Sequence, residues 1–174
     1  MIQARVSTTY LILSILALSI LTGCALKQRI YIPPASGDEA HFRVLSASGA
    51  AFQGPVATFS DAQTCKGRYF IQRQLDVTSF FTPIPAGRPF SAAFHQSISG
   101  SISTGFTFCV PIITFTPVAG RSYTATLAIV KDGCSMSLDV TESLQNQTRR
   151  PEPFIMKKFS NGFDENSSFC SSKD

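Results

Sequence analysis

Two histidines and a high serine content are the features of this 174-residue chain that could support catalysis. A serine nucleophile needs a histidine base beside it, and many hydrolases present that serine in a Gly-x-Ser-x-Gly turn. The sequence contains no such turn, and only His41 and His95 could act as the base. Each lies in a segment that reads as a β-strand, where a lone histidine is usually a packed or solvent-facing side chain. We therefore expect no catalytic residues.

The sequence also lacks complete motifs for phosphate binding and for acid–base catalysis. The segment 100–105 has the outer glycines of a phosphate-binding loop, but Phe106 and Thr107 follow where that loop needs Lys and then Ser or Thr. Adjacent carboxylates occur only as Asp38-Glu39 and Asp164-Glu165, toward the two ends of the chain, so no pair is placed for general acid and base work. The sequence predicts a protein that is not an enzyme and has no cofactor.

The N-terminus has the layout of a secretory signal. Arg5 is followed by an uncharged run over residues 6–26, and small residues precede Cys24. The most apolar part, residues 10–21, is shorter than the ~20 residues that a membrane-spanning helix needs. We expect residues 1–23 to be a cleaved signal peptide.

The segment Leu21-Thr22-Gly23-Cys24 closely resembles the lipobox of bacterial lipoproteins. This resemblance implies a lipid on the Cys24 sulfur, cleavage before Cys24, and acylation of the new amine by a fatty acid such as palmitate. Two or more chains, at about 0.8 kcal/mol per buried methylene, form a stable membrane anchor. Ala25 follows, where an Asp is typical of retention in the inner membrane. The resemblance thus implies an outer-membrane protein, lipid-anchored and facing the periplasm.

Composition limits what the remaining body can be. About 150 residues suit one domain with its own core, and fifteen Phe with no Trp indicate that Phe fills it. The formal charge is +4, and removing Arg5 with the signal leaves +3. That charge is too small to indicate a nucleic-acid partner.

Four cysteines remain besides Cys24. An even number in an exported chain is typical of two disulfides, with three possible connectivities. A metal site is the alternative, but no two of these cysteines form a C-x-x-C pair and both histidines are remote from them, so we predict no metal. The four are Cys65, Cys109, Cys134 and Cys170.

The hydrophobic pattern of the body has period two, as in β-strands, rather than 3.6. Seven segments rich in Phe, Ile, Val and Thr are separated by Gly and Pro, at a spacing typical of a sandwich. They are residues 41–46, 56–60, 68–76, 90–98, 105–116, 122–131 and 134–141. We predict an all-β fold, a single antiparallel β-sandwich over residues 41–145. A flexible lipidated tether over residues 24–40, able to span roughly 50 Å, would precede it. A C-terminal tail over residues 146–174 would follow.

A hairpin is predicted at Asp132-Gly133, a preferred two-residue turn. Pairing Lys131 with Cys134 then places Leu127 and Leu138 on one buried face, which Cys134 shares. Alternation also turns Cys109 inward, so we predict the bonds Cys109–Cys134 and Cys65–Cys170, the second holding the tail to the body. If Cys109 were misplaced, Cys65 would be the substitute partner of Cys134.

Two similar segments, Ala86-Gly87-Arg88-Pro89-Phe90 and Ala119-Gly120-Arg121-Ser122-Tyr123, each open a predicted strand. Shared turn chemistry explains them. With the Cys-bearing hairpin they also resemble small envelope lipoproteins that have immunoglobulin-like or transthyretin-like sandwiches. This resemblance implies a fold, because most of those proteins have no assigned activity.

One constellation looks like a contact surface. Arg149, Arg150, Lys157 and Lys158 flank three apolar residues over 154–156, which suits anionic lipid headgroups or an acidic partner. Alternatively, the segment is a solvated connection whose apolar residues cover an edge of the sandwich.

Taken together, these features predict a lipid-anchored envelope binding or scaffold protein without catalytic activity. The membrane, through the lipid on Cys24, is one partner, and an envelope protein or wall component is the other. Two alternatives are a lipoprotein of a secretion apparatus and an inhibitor of host wall-degrading enzymes.

Overall fold

The computed structural model describes residues 28–73, 80–101, 105–131, 133–144 and 148–171. This described part forms strands and no helix, so it contains no helix long and apolar enough to cross a membrane. The strands are β1 Glu39–Ser46, β2 Val56–Asp61, β3 Lys66–Gln72, β4 Thr82–Pro85, β5 Phe90–Phe94, β6 Gln96–Ser101, β7 Gly105–Cys109, β8 Ile112–Phe115, β9 Ser122–Val130, β10 Gly133–Thr141, β11 Arg150–Pro151, β12 Ile155–Phe159 and β13 Cys170–Ser171.

Two sheets pack face to face, which confirms the predicted all-β sandwich. One has five strands in the order β11-β10-β9-β1-β4, and the other has six in the order β13-β12-β8-β5-β2-β3. The hairpin of β6 and β7 stands apart as a two-stranded sheet. Among the strands named above, pairing is antiparallel except between β1 and β9, which run parallel. Those two strands therefore need a long crossover connection, and the six-stranded sheet supplies part of it.

The main core lies between the sheets and is built on phenylalanine, as the composition predicts. Phe42 of β1 is fully buried, and its ring centroid lies 5.4 Å from that of Phe90, 6.4 Å from that of Phe94 and 6.1 Å from that of Phe115. Edge-on and tilted rings at these distances attract each other beyond the area they bury. One face of every central strand is thereby fixed inward, because side chains alternate along a strand.

A second apolar cluster covers the outer face of the six-stranded sheet. Phe59 and Phe70 on the sheet pack with Phe169 from near the C-terminus. The described part of the predicted C-terminal tail, residues 146–174, supplies β11, β12 and β13. Two of these strands have only two residues, too few for a period to show in the sequence.

The cysteines pair as the sequence predicts. Cys65 and Cys170 are joined across 105 residues, with Cα atoms 5.4 Å apart. Cys109 and Cys134 are joined across 25 residues, with Cα atoms 6.2 Å apart. The first bond fastens the C-terminal segment over the outer cluster, and the second fastens the β6–β7 hairpin to β10.

The predicted register of the β9–β10 hairpin is wrong by two residues. The ladder closes at Val130 and Gly133, and Cys134 lies opposite Ile129 rather than Lys131. Because side chains alternate with period two, a shift of two residues leaves every side chain on the predicted face. Leu127 and Leu138 are accordingly buried, as expected. Asp132 lies outside the described residues.

Candidate functional site

Residues 28–38, which we call the strap, cross from one sheet of the sandwich to the other. The Phe70 amide of β3 donates to the Arg29 carbonyl at 2.8 Å, and the Tyr31 amide donates to the Phe70 carbonyl at 2.9 Å. The Tyr31 hydroxyl donates to the Pro83 carbonyl of β4 at 3.1 Å. The strap therefore bridges an edge strand of each sheet. The described part of the tether predicted over residues 24–40 is thus bonded to the domain.

A groove of about 340 Å³ opens beneath the strap. The turn from β4 to β5 forms its other rim, and β2 and β3 form its floor. Its size falls at the low end of the range for small-molecule sites. The lining residues are Ile30, Tyr31, Ile32, Pro34, Thr58, Phe59, Ser60, Tyr69, Pro85, Arg88, Pro89 and Phe90.

Three hydroxyl groups in this lining are already used within the protein. Thr58 donates to the Ser91 carbonyl at 2.9 Å, Ser60 donates to the Lys66 carbonyl at 3.1 Å, and Tyr31 bonds as described. A hydroxyl has only one proton to donate, so none of the three has a donor left for a ligand. These three hydroxyls can still accept a hydrogen bond, but the wall that they share with Pro, Ile and Phe side chains has few donors to offer.

Arg88 differs from the rest of the lining. It is exposed on the rim, and it makes no hydrogen bond or ion pair with the residues that the structure describes. Burial raises the pKa of Tyr31 to about 12, and the positive charge of Arg88 opposes this rise more than Glu39 adds to it. Tyr31 thus stays neutral, and Arg88 is the charged side chain among the lining residues.

A second concave region surrounds His95, beyond the end of β5. A cavity of about 510 Å³ there is lined by His95, Arg68, Phe108, Phe159 and Phe169, among others. Burial, and then the charge of Arg68, lower the pKa of His95 to about 4. Its Nε2 atom is buried without a hydrogen-bond partner among the described residues. The imidazole is therefore neutral at pH 7, and its ring lies edge-on to Phe159 with centroids 5.6 Å apart.

Arg68, the only charged side chain in that lining, is already bound. Its Nε and Nη2 atoms donate to the two carboxylate oxygens of Glu165 at 2.7 and 2.9 Å. Its guanidinium also lies 4.2 Å from the centre of the Phe169 ring. This arrangement is structural, because both partners of the ion pair hold the C-terminal segment to β3.

His41 lies on the other sheet, in β1, with its ring edge-on to Phe81 at a centroid distance of 6.5 Å. The structure thus places the two histidines in different layers. Among the described residues, no group of three or more His, Cys, Asp or Glu side chains is placed to hold a metal ion.

The basic constellation predicted at Arg149, Arg150, Lys157 and Lys158 is divided between the two sheets. Arg150 lies in β11 and pairs with Glu142 at 2.5 Å. Lys157 lies in β12 and donates to the carbonyls of Ala62 and Gln63 at 2.6 and 2.9 Å, where burial lowers its pKa. Arg149 and Lys158 are exposed. A partner or membrane contact at the remaining basic residues stays a prediction.

The groove could not be read from the sequence pattern, because residues 28–38 read as part of the tether. The signal was the apolar stretch Ile30-Tyr31-Ile32 directly before Pro33-Pro34, which is unusual for a solvated linker. Cys24, the predicted lipid site, lies outside the described residues.

Comparison with family models, with curated proteins and with solved structures finds no match for this chain. The site is therefore interpreted from its own chemistry.

Proposed function

We propose that this protein is a lipid-anchored binding or scaffold protein of the bacterial envelope. A lipid on Cys24 holds it to the outer membrane on the periplasmic side, and the folded domain binds an envelope protein or wall component. The proposed function does not include catalysis.

The observation that supports it best is the strap. Arg29, the first described residue bonded to β3, lies only five positions after Cys24. Five residues reach at most ~18 Å even when fully extended. A lipid on Cys24 would therefore keep the groove close to the membrane surface, rather than extending the domain away from it as the predicted tether would.

The two disulfides agree with this placement. Disulfides persist in oxidising compartments such as the periplasm and are rare where thiols are kept reduced. Both pairs lie at distances that such bonds require.

The test is metabolic labelling of cells with a fatty acid, followed by separation of inner and outer membranes. We expect the full chain to incorporate label and to appear in the outer membrane, and the Cys24→Ser variant to incorporate none. The matched control is Ala25→Asp, which keeps the lipid site but carries the residue typical of inner-membrane retention. It should incorporate label and move to the inner membrane. Label on Cys24→Ser would contradict the anchor.

The partner is sought by photo-crosslinking in intact cells. A crosslinker at Ile32, which is 83% exposed on the strap, should capture an envelope protein or wall component. A crosslinker at Phe163, fully exposed on the C-terminal segment, is the control for collision. Equal capture at both positions would contradict binding on the strap side.

A further inference from the structure

The hydrogen bonds that the groove beneath the strap can and cannot form with a ligand limit the kind of ligand it binds. Thr58, Ser60 and Tyr31 have donated their protons to carbonyls of the protein itself. Among the described residues, the polar side chains of the lining without a hydrogen bond are those of Arg88 and Tyr69. The groove therefore offers a ligand apolar side chains, few side-chain donors and one cationic position on its rim.

This chemistry disfavours sugars and peptides. The lining side chains offer few hydrogen-bond donors, so the oxygen atoms of a buried sugar and the carbonyls of a buried peptide would find few partners. Each unpaired polar group costs ~1–3 kcal/mol. A saturated hydrocarbon chain has no polar group to satisfy, and it gains free energy from every methylene it buries.

We propose that this groove binds one long-chain fatty acid, with the chain beneath the strap and the carboxylate on the guanidinium of Arg88. Arginine presents two parallel N–H donors that match a carboxylate, and its charge has no other partner among the described residues. A groove of about 340 Å³ has the size for a single chain rather than for a two-chain lipid. This inference goes beyond the proposed function and stands independently of it, because it does not require a lipid on Cys24.

The test is native mass spectrometry of the purified full chain in a mild detergent, with palmitate or hexadecanol added. The two ligands share a chain and differ in the anionic group. We expect a one-to-one palmitate complex, and about tenfold weaker binding of hexadecanol, as expected for the loss of one hydrogen bond between charged groups.

Arg88→Gln should weaken palmitate binding about tenfold and leave hexadecanol binding unchanged. The matched control is Lys131→Gln, which removes the same charge from an exposed position at the end of β9. It should bind palmitate like the unaltered chain. Absence of a palmitate complex, or equal palmitate binding by Arg88→Gln and the unaltered chain, would overturn the proposal. A complex with a phospholipid but not with palmitate would also overturn it, and would assign the groove to membrane lipid.

The place of binding has its own readout. The chain has no Trp and four Tyr, of which Tyr31 and Tyr69 line the groove and Tyr123 is fully buried in the core. A palmitate brominated along its chain should quench tyrosine fluorescence, and most of this quenching should disappear when Tyr31 and Tyr69 are both changed to Phe. Quenching that persists in this double variant would place the ligand elsewhere and refute the assignment.

Discussion

The outer edge of β3 is covered by both ends of the described chain, and the two ends do so differently. The Arg68 amide donates to the Glu165 carbonyl and the Phe70 amide donates to the Arg29 carbonyl, each at 2.8 Å. An exposed sheet edge invites pairing with other chains, so both covers protect the protein from aggregation. Because the two backbone bonds have equal length and lie two residues apart, they allow a direct comparison of the covers.

Residues 160–171, which we call the C-terminal cover, are fastened in three further ways. Glu165 forms its two-bonded ion pair with Arg68, Phe169 is only 2% exposed, and Cys170 is bonded to Cys65. Among the described residues, the strap is held by its backbone bonds, by the Tyr31 hydroxyl and by an exposed hydrogen bond of 3.0 Å from the Arg29 guanidinium to the Asn166 side chain of the C-terminal cover. Ile30 and Ile32 are exposed. The difference indicates that one cover is permanent, whereas the other, which borders the groove, can open at low cost.

The largest effect is expected from releasing the C-terminal cover. Changing Cys65 and Cys170 together to Ala should lower the free energy of unfolding by about 4–5 kcal/mol, because this bond closes a loop of about a hundred residues. Urea denaturation measures the change.

The control for that experiment is the double change of Cys109 and Cys134 to Ala. Its shorter loop of 25 residues predicts a smaller loss of about 3–4 kcal/mol. A larger loss of unfolding free energy from changing Cys109 and Cys134 than from changing Cys65 and Cys170 would contradict this prediction.

Acid should lower the free energy of unfolding through His95, which shares a cavity with residues of the C-terminal cover. The pKa of His95, lowered to about 4 by burial and by Arg68, lies below its ordinary value of 6.5. Between these values the unfolded chain binds a proton that the folded chain does not. Stability is therefore retained above pH 6.5 and falls as the pH drops from 6.5 toward 4, by up to about 1.4 kcal/mol per pH unit.

Denaturation at several pH values checks this dependence. His95→Gln, which cannot titrate, should flatten the slope between pH 6.5 and 4. A slope as steep in His95→Gln as in the unaltered chain would assign the acid sensitivity to other groups.

Amide hydrogen exchange compares the two covers directly. We expect the Phe70 amide, held by the strap, to exchange at least about tenfold faster than the Arg68 amide, held by the C-terminal cover. A tenfold difference corresponds to about 1.4 kcal/mol of local opening free energy. Equal rates would mean that both covers open only with the whole domain.

The smallest effect is expected from Tyr31→Phe, which removes one hydrogen bond from the strap. Unfolding free energy should fall by about 0.5–1.5 kcal/mol. Exchange at Phe70 should quicken while exchange at Arg68 stays unchanged. Tyr69→Phe is the matched control, since the Tyr69 hydroxyl has no hydrogen bond among the described residues.

The sandwich and the Cys109–Cys134 bond could be predicted because they depend on alternation, which shows over long strands such as β9 and β10. The Cys65–Cys170 bond followed as the remaining pair. The strap could not, since its contact with β3 involves only Arg29, Ile30 and Tyr31. Three residues show no period, and the following prolines read as a linker. The division of the basic residues was also hidden, because sequence proximity does not reveal that β11 and β12 enter different sheets.

The parallel pairing of β1 with β9 constrains the order in which the protein can assemble. β1 is made early, yet its parallel neighbour β9 lies far later in the chain. The edge of β3 is covered only when Glu165, near the C-terminus, has been made. Contacts this distant in sequence form slowly. An incomplete chain therefore cannot finish either sheet. This topology delays folding until nearly the whole chain is available.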